Sequence, residues 1–279
     1  MFRRNNFLII MIVLLAAGII GSLWFYNTYY LPNAQMSSTY MEVYQDLDAT
    51  EIQSISIDTI NHKVRVVSTE DEKVKISYFQ RTDSANSFVM NNRDVTLKII
   101  ERAENTSNSF FSSTRQIDTI TVYLPVDSAI SINNKTIEGT FEASNVSAAS
   151  VNLNSISGSI DLNNCTFKRV DINSNSGEIK AEGLISDSVN IIEVTGKISL
   201  SIPDSLEAYN LDIRSDYGIL TVNEDRVVII EEDKQTVVNY LEAVREGVNR
   251  RIYINSLRSP IVITSNEEPP VETNENAQQ

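Results

Sequence analysis

The chain contains few residues that could catalyse a reaction. It has 279 residues but a single histidine, His62, and a single cysteine, Cys165. A Ser-His-Asp or Cys-His arrangement would need His62, which the surrounding pattern places in a tight turn where histidine tolerates a positive φ. Cys165 is predicted to pack in an apolar corner with Leu184 and Pro203 rather than to act as a reactive thiol. We therefore expect no catalytic residue, no metal ligand and no cofactor, and we predict that the protein is not an enzyme.

Carboxylates are plentiful, so a metal site and a polysaccharide-active site both need consideration. Two acidic runs, 70–72 and 231–233, have the composition of solvated turns. Calcium binding is the alternative interpretation, although no D-x-D-x-D-G loop is present. A polysaccharide-active β-helix enzyme would need converging carboxylates on one outer face. The outward positions are mainly Asn, Asp, Ser, Lys and Thr, so this enzyme class remains only an alternative.

The net charge limits the classes of partner. A formal charge of -14 and a pI near 4.6 give a surface that repels nucleic acid. We therefore expect no nucleic-acid partner. Four arginines, Arg245, Arg250, Arg251 and Arg258, stand out against this background. They either balance charge locally or contact an acidic partner.

The elements that position these residues follow a repeat. Gly158, Gly177 and Gly196 are spaced by 19 residues. Apolar residues lie seven and five positions before each glycine and two and four positions after it, which predicts two half-buried strands joined by a turn. The same grid fits units centred on Gly139 (with a two-residue insertion) and Gly218, and on two positions without glycine, His62 and Ser259. Seven units therefore share one template.

A period near 20 residues is typical of stacked coils. We predict an all-β fold, a right-handed parallel β-solenoid, in which a positive φ explains the glycine at each turn. In-register stacking would place Asp161 beside Lys180 and Glu178 beside Lys197, and would align the column Asn152, Asp171, Asn190 and Asp212, in which an amide alternates with a carboxylate. An antiparallel sandwich is the alternative.

Two segments depart from the repeat. The strand-like segments within residues 74–124 predict an irregular N-terminal β portion that is partly antiparallel. Residues 223–251 form an insertion, which we interpret as a short helix or a hairpin-like flap that caps the last coils. The extracytoplasmic domain is predicted to span residues 50–265.

The two ends of the chain differ from this domain. Residues 7–26 are uncharged and long enough to cross a bilayer as a helix, and Arg3 and Arg4 keep the N-terminus cytoplasmic. A cleaved signal peptide is the alternative. We thus predict a cytoplasmic stub and transmembrane anchor at 1–30, a spacer at 31–49 and a disordered tail at 266–279. The protein would be a single-pass protein of the cell membrane, with the C-terminal domain outside.

The run from "ITVYLPVDSAISINNKTIEGTFEA" to "RRIYINSLRSPIVI" resembles a bacterial family of β-strand-repeat domains labelled putative adhesins, and in particular the LiaG-like membrane-anchored proteins. This resemblance covers about residues 50–265 and rests on structural motifs. It implies a non-catalytic binding or scaffold protein in envelope-stress response or adhesion. Its partners would be the membrane, through the N-terminal helix, and an unknown envelope protein or cell-surface ligand. A self-assembling scaffold is a further alternative.

Overall fold

The computed structural model describes an all-β domain. It covers residues 40–81, 88–93, 96–101, 119–227, 229–231 and 236–266. Apart from strands, these residues form two single 3-10 turns, Ala49–Glu51 and Leu206–Ala208. In this part of the chain no helix is long and apolar enough to cross a membrane. The predicted membrane helix at 7–26 and the tail from residue 267 lie outside the described residues.

The described residues of the domain form twenty strands. In chain order they are β1 Tyr40–Asp48, β2 Ser54–Thr59, β3 Lys63–Thr69, β4 Lys73–Arg81, β5 Phe88–Arg93, β6 Thr96–Glu101, β7 Thr119–Pro125, β8 Ser131–Thr136, β9 Phe141–Ser144 and β10 Ser147–Ser155. They continue with β11 Ile160–Asn163, β12 Thr166–Glu182, β13 Ile185–Ile202, β14 Asn210–Ser215, β15 Leu220–Val222, β16 Asp225–Val227, β17 Ile229–Glu231, β18 Thr236–Ala243, β19 Arg251–Ser256 and β20 Ile261–Ser265.

The strands form two stacked faces with parallel, in-register pairing. The first face contains β6, β2, β8, β10, the N-terminal halves of β12 and β13, β19 and β14 in that order. The second face contains β7, β3, β9, β11, the C-terminal halves of β12 and β13, β20 and β15. The structure is therefore β-solenoid-like, and the antiparallel sandwich is wrong for these strands.

The core lies between the two faces and follows the predicted grid. Alternating side chains of both faces point inward, because successive residues of a strand point to opposite sides. Every grid position in the seven units is buried except Val222, which is partly buried. The predicted neighbours also lie side by side, since Asp161 pairs with Lys180 and Glu178 with Lys197.

The order of the stack differs from the order of the chain at both ends. The unit β19–β20 lies between β13 and the unit β14–β15. At the other end, β2–β3 lies between β6–β7 and β8–β9. The predicted column therefore does not run directly from Asn190 to Asp212, because Tyr253 lies between them. Direct stacking of successive units holds only from β8 to β13.

Antiparallel strands extend both ends of the stack. At the N-terminal end, β4 pairs with β7 and β1, and β5 pairs with β6, as the irregular N-terminal portion predicts. Strand β1 begins at Tyr40, inside the segment 31–49 that the sequence assigns to the spacer. The predicted insertion forms strands rather than a helix, and β18 covers the edge of β14. The helix alternative is wrong because the apolar residues from Thr236 onward pair as a strand, which leaves Val244 exposed beyond its end.

Candidate functional site

His62 lies in the turn between β2 and β3, as predicted. Its backbone does not have a positive φ, so the predicted reason for a histidine at this turn is wrong. Cys165 is fully buried, as is Leu184, which confirms an apolar corner. Pro203 is instead exposed, because the chain leaves the coil after β13. Burial raises the pKa of the Cys165 thiol, which disfavours the reactive thiolate.

The acidic residues form no metal site in the part of the chain that the structure describes. There, no group of three or more His, Cys, Asp or Glu side chains is arranged to hold an ion. The run 70–72 is exposed in the turn before β4. The Lys75 ammonium pairs with Asp71, and this hydrogen bond lowers the pKa of the Asp71 carboxyl. The other run continues through residues 232–233, which lie outside the described residues.

The four arginines do not form one surface. The Arg250 guanidinium lies 4.2 Å from the ring centre of Tyr209, and its Nη1 donates to Asp204 at 2.8 Å. Arg245 Nη1 donates to the Tyr209 carbonyl at 2.6 Å. These contacts hold the insertion against the stack. They support the interpretation that Arg245 and Arg250 interact locally rather than with an acidic partner. Arg258 points into solvent and has no ion pair among the described residues.

The turns between the two faces are built around very close backbone approach. An added Cβ at Gly158 would lie 1.7 Å from the carbonyl oxygen of Gly139, and one at Gly177 would lie 2.4 Å from that of Gly158. Gly196 likewise lies against Gly177, Gly139 against His62, and Gly218 against Ser259. Only Gly177 and Gly196 of these five have a positive φ. The predicted reason for the glycines is therefore wrong at three positions, where contact with the neighbouring coil excludes a side chain.

Beneath these turns runs a buried column of polar side chains that the sequence interpretation missed. Register places its seven members in one line: Thr59, Thr136, Ser155, Ser174, Glu193, Ser256 and Ser215. In four turns the hydroxyl accepts the backbone N–H three residues later, at 2.8 Å for Gly139, Gly158 and Ser259 and 2.9 Å for Gly218. The sequence contains a signal for this column, because a serine or threonine lies three positions before most of the repeat glycines.

Glu193 is the exception in this column. Its side chain is 1% exposed, and neither carboxyl oxygen has hydrogen-bond geometry to a described residue. Desolvation by burial raises the pKa of Glu193 to about 7, and the nearby Ser174 hydroxyl offsets only part of this shift. The absence of a side chain at Gly196 leaves room for this carboxyl, since Oε1 lies 2.7 Å from the position of a Cβ there. A carboxyl group whose pKa is about 7 therefore lies directly under the surface of the turn.

Above the buried column, the turns expose an apolar surface that we call the glycine edge. Its ridge consists of Ile137, Ile156, Asn175, Val194 and Leu257, one from each of five successive coils. A flanking column consists of the residues that follow each ridge member: Glu138, Ser157, Ser176, Thr195 and Arg258. Among the described residues, seven of the eleven exposed large apolar side chains lie at these turns: Ile137, Ile156, Ile192, Val194, Tyr217, Ile219 and Leu257. Clustering of this kind marks interaction surfaces.

A shallow groove of about 290 Å³ runs beside the ridge. Asparagine amides and branched apolar side chains line it, and Lys135 is the only charged residue in the lining. Two other grooves lie near the N-terminal strands, with volumes of about 800 and 360 Å³. Both linings contain several charged side chains, such as Lys63 and Arg65 in the larger groove and Asp71 and Lys75 in the smaller one. The glycine edge is therefore the candidate binding surface, because exposed apolar side chains are concentrated there in a strongly acidic protein.

Comparison with solved structures finds several similar proteins. A "putative cell adhesion protein" from Clostridium sporogenes has 14% identity and a TM-score of 0.46, and the match covers 81% of this chain and 99% of that one. A "putative adhesin" from Bacteroides fragilis has 14% identity and a TM-score of 0.45, with 81% and 97% covered. A "putative lipid binding protein" from Parabacteroides distasonis has 12% identity and a TM-score of 0.29, with 82% and 97% covered.

Comparison with curated proteins gives no match. The model of one family, described as Toastrack DUF4097, matches residues 52–233. This range contains most of the repeat units, including the glycines at 139, 158, 177, 196 and 218. The resemblance seen in the sequence is thereby confirmed at the level of the family, and the chain belongs to the Toastrack DUF4097 family.

Proposed function

We propose that this protein is a non-catalytic binding module of the bacterial cell envelope and that the glycine edge is its binding surface. The observation that carries the proposal is the concentration of exposed apolar side chains on this edge. Its backbone is held by in-register parallel pairing on both sides, so the surface needs little ordering when a partner binds. The partner would be an envelope protein or a cell-surface ligand.

The proposed location is the outer side of the cell membrane. The uncharged segment 7–26 and the arginines that precede it support a single membrane-spanning anchor. The resemblance to LiaG-like proteins supports a role in envelope-stress response or adhesion. Right-handed winding of the coils is part of this proposal and rests on the usual handedness of parallel crossovers.

Site-specific photo-crosslinking in cells tests the binding surface. A photoreactive residue at Ile156 on the ridge should give a crosslinked product. The same residue at Lys168, an exposed position outside the glycine edge, serves as the matched control. We expect products from position 156 and none from position 168. Absence of products at 156, or equal yields at both positions, contradicts the proposal.

A catalytic function would contradict the proposal in a different way. The purified protein should not cleave peptidoglycan or other envelope glycans. Cleavage that is abolished by substitution of a single carboxylate would identify a polysaccharide-active enzyme instead. Release of reducing sugars is a suitable measurement, with heat-denatured protein as the blank.

A further inference from the structure

We propose that the partner of the glycine edge is a second copy of this chain. The inference rests on the proposed function, because it names the partner of the same surface. The two copies would be related by a two-fold axis that lies in the interface and runs perpendicular to the stack. Each column then faces the same column of the other copy in reverse order.

The ridge is self-complementary under this operation. Asn175 is its central member, with two apolar residues on each side. Reversal places Ile137 opposite Leu257 of the second copy and Ile156 opposite Val194. Asn175 meets its own symmetry mate, and an amide can both donate and accept a hydrogen bond. A symmetric interface of this type requires such self-complementarity.

The flanking column can be buried at little cost. Its three central hydroxyls already donate to backbone carbonyls of the neighbouring coil: Ser157 to Ile137 at 3.2 Å, Ser176 to Ile156 at 3.1 Å, and Thr195 to Asn175 at 3.1 Å. Burial of a polar group is costly chiefly when its hydrogen bond is lost. These hydroxyls keep their hydrogen bonds when a second copy covers them.

Beside the five ridge residues, the first and last residues of the flanking column carry opposite charges, and the same register continues to Asn61 and Tyr217 in the coils beyond them. Glu138 lies at one end and Arg258 at the other, and both are exposed without an ion pair among the described residues. The reversed arrangement places Glu138 of each copy opposite Arg258 of the other, so the contact contains two ion pairs. If the two copies instead ran in the same direction, like charges would face each other across the contact. Charge therefore selects the reversed arrangement.

The size of the ridge predicts a weak dimer. Five coils at an inter-strand spacing of about 4.8 Å give a ridge about 20 Å long. A contact about 20 Å long and two columns wide buries less surface than a standard stable interface, which buries about 800 Å² per partner. Association should therefore depend on protein concentration, and attachment of both copies to one membrane would favour it.

Cysteine crosslinking of the full chain in its membrane tests the arrangement. The single native cysteine is buried and does not interfere. Asn175→Cys should form a disulfide-linked dimer under mild oxidation, whereas Lys168→Cys, the matched control, should not. Co-expressed Ile137→Cys and Leu257→Cys chains should crosslink with each other, whereas Ile137→Cys alone should not. A dimer from Ile137→Cys alone, or no dimer from Asn175→Cys, overturns the proposal.

Charge reversal gives an independent test on the Asn175→Cys background. Glu138→Arg alone and Arg258→Glu alone should each lower the dimer yield about tenfold, and the double variant should restore it. Failure of the double variant to recover overturns the proposal. A photo-crosslink from Ile156 to a different protein, with no Asn175→Cys dimer, contradicts this inference but leaves the proposed function intact. No photo-crosslink from Ile156 contradicts both.

Discussion

At the scale of single residues, Glu193 is the most unusual group in the domain. A carboxyl replaces the serine or threonine hydroxyl found in the other six turns of the buried column. The burial that raises the pKa of Glu193 to about 7 also links its protonation to stability. Below its unfolded pKa near 4.5 the group is protonated in both states. Between that value and about 7 the folded state retains the proton, so stability falls as pH rises through this window.

Glu193→Gln should remove this pH dependence. The free energy of unfolding of the variant, relative to the wild type, should rise by about 3 kcal/mol between pH 4 and pH 8, since each pKa unit corresponds to about 1.4 kcal/mol. Urea denaturation followed by circular dichroism measures the difference. Glu246→Gln, at an exposed turn, is the matched control and should show no such rise. A constant difference across this pH range for Glu193→Gln would contradict the interpretation.

At the scale of elements, the two turns of each coil have different requirements. The turns beneath the glycine edge require a residue without a side chain at the repeat glycine, because a carbonyl oxygen of the neighbouring coil occupies the place of a Cβ. The opposite corner requires a left-handed residue, which is Asn145, Asn164 or Gly183 in three successive coils. Asparagine tolerates this conformation better than most residues. The residues at this corner are also 19 apart, so the same spacing in the sequence has two different physical causes.

Alanine substitution separates these causes. Gly158→Ala should destabilise the fold by about 3 kcal/mol, because the new methyl group would overlap the Gly139 carbonyl. Gly247→Ala should cost only about 1 kcal/mol, because Gly247 has a φ of 77° but nothing within 4 Å of an added Cβ. Thermal unfolding of both variants gives the comparison. An equal or larger loss for Gly247→Ala would show that backbone conformation matters more than close approach.

At the scale of the whole molecule, the last unit of the chain is an interior unit of the stack. Strands β19 and β20 have parallel neighbours on both sides, so this unit completes the core. A repeat array in chain order would lose only its end when shortened. Here, removal of the last unit separates β13 from β14. The insertion 223–251 is the segment that carries the chain back into this gap.

Truncation after Arg250 should therefore abolish cooperative folding. It removes four buried isoleucines, Ile252, Ile254, Ile261 and Ile263, whose burial contributes about 8 kcal/mol at about 2 kcal/mol each. This loss is comparable to the whole stability of a typical domain. Urea unfolding and limited proteolysis measure the effect, with a chain that ends at residue 266 as the control. A truncated chain that retains the unfolding midpoint of the control would contradict this prediction.

The sequence alone determined the strands, the turns and the buried positions of the repeat, because alternation and spacing are local properties of a chain. It also determined the pairs Asp161–Lys180 and Glu178–Lys197, which lie in adjacent units. Only the tertiary structure decided where the first and last units stack, since equivalent units present almost the same apolar face and several orders satisfy one pattern. It alone showed the glycine edge and the buried Glu193 as well, because exposure and desolvation depend on which coils lie above and below each residue.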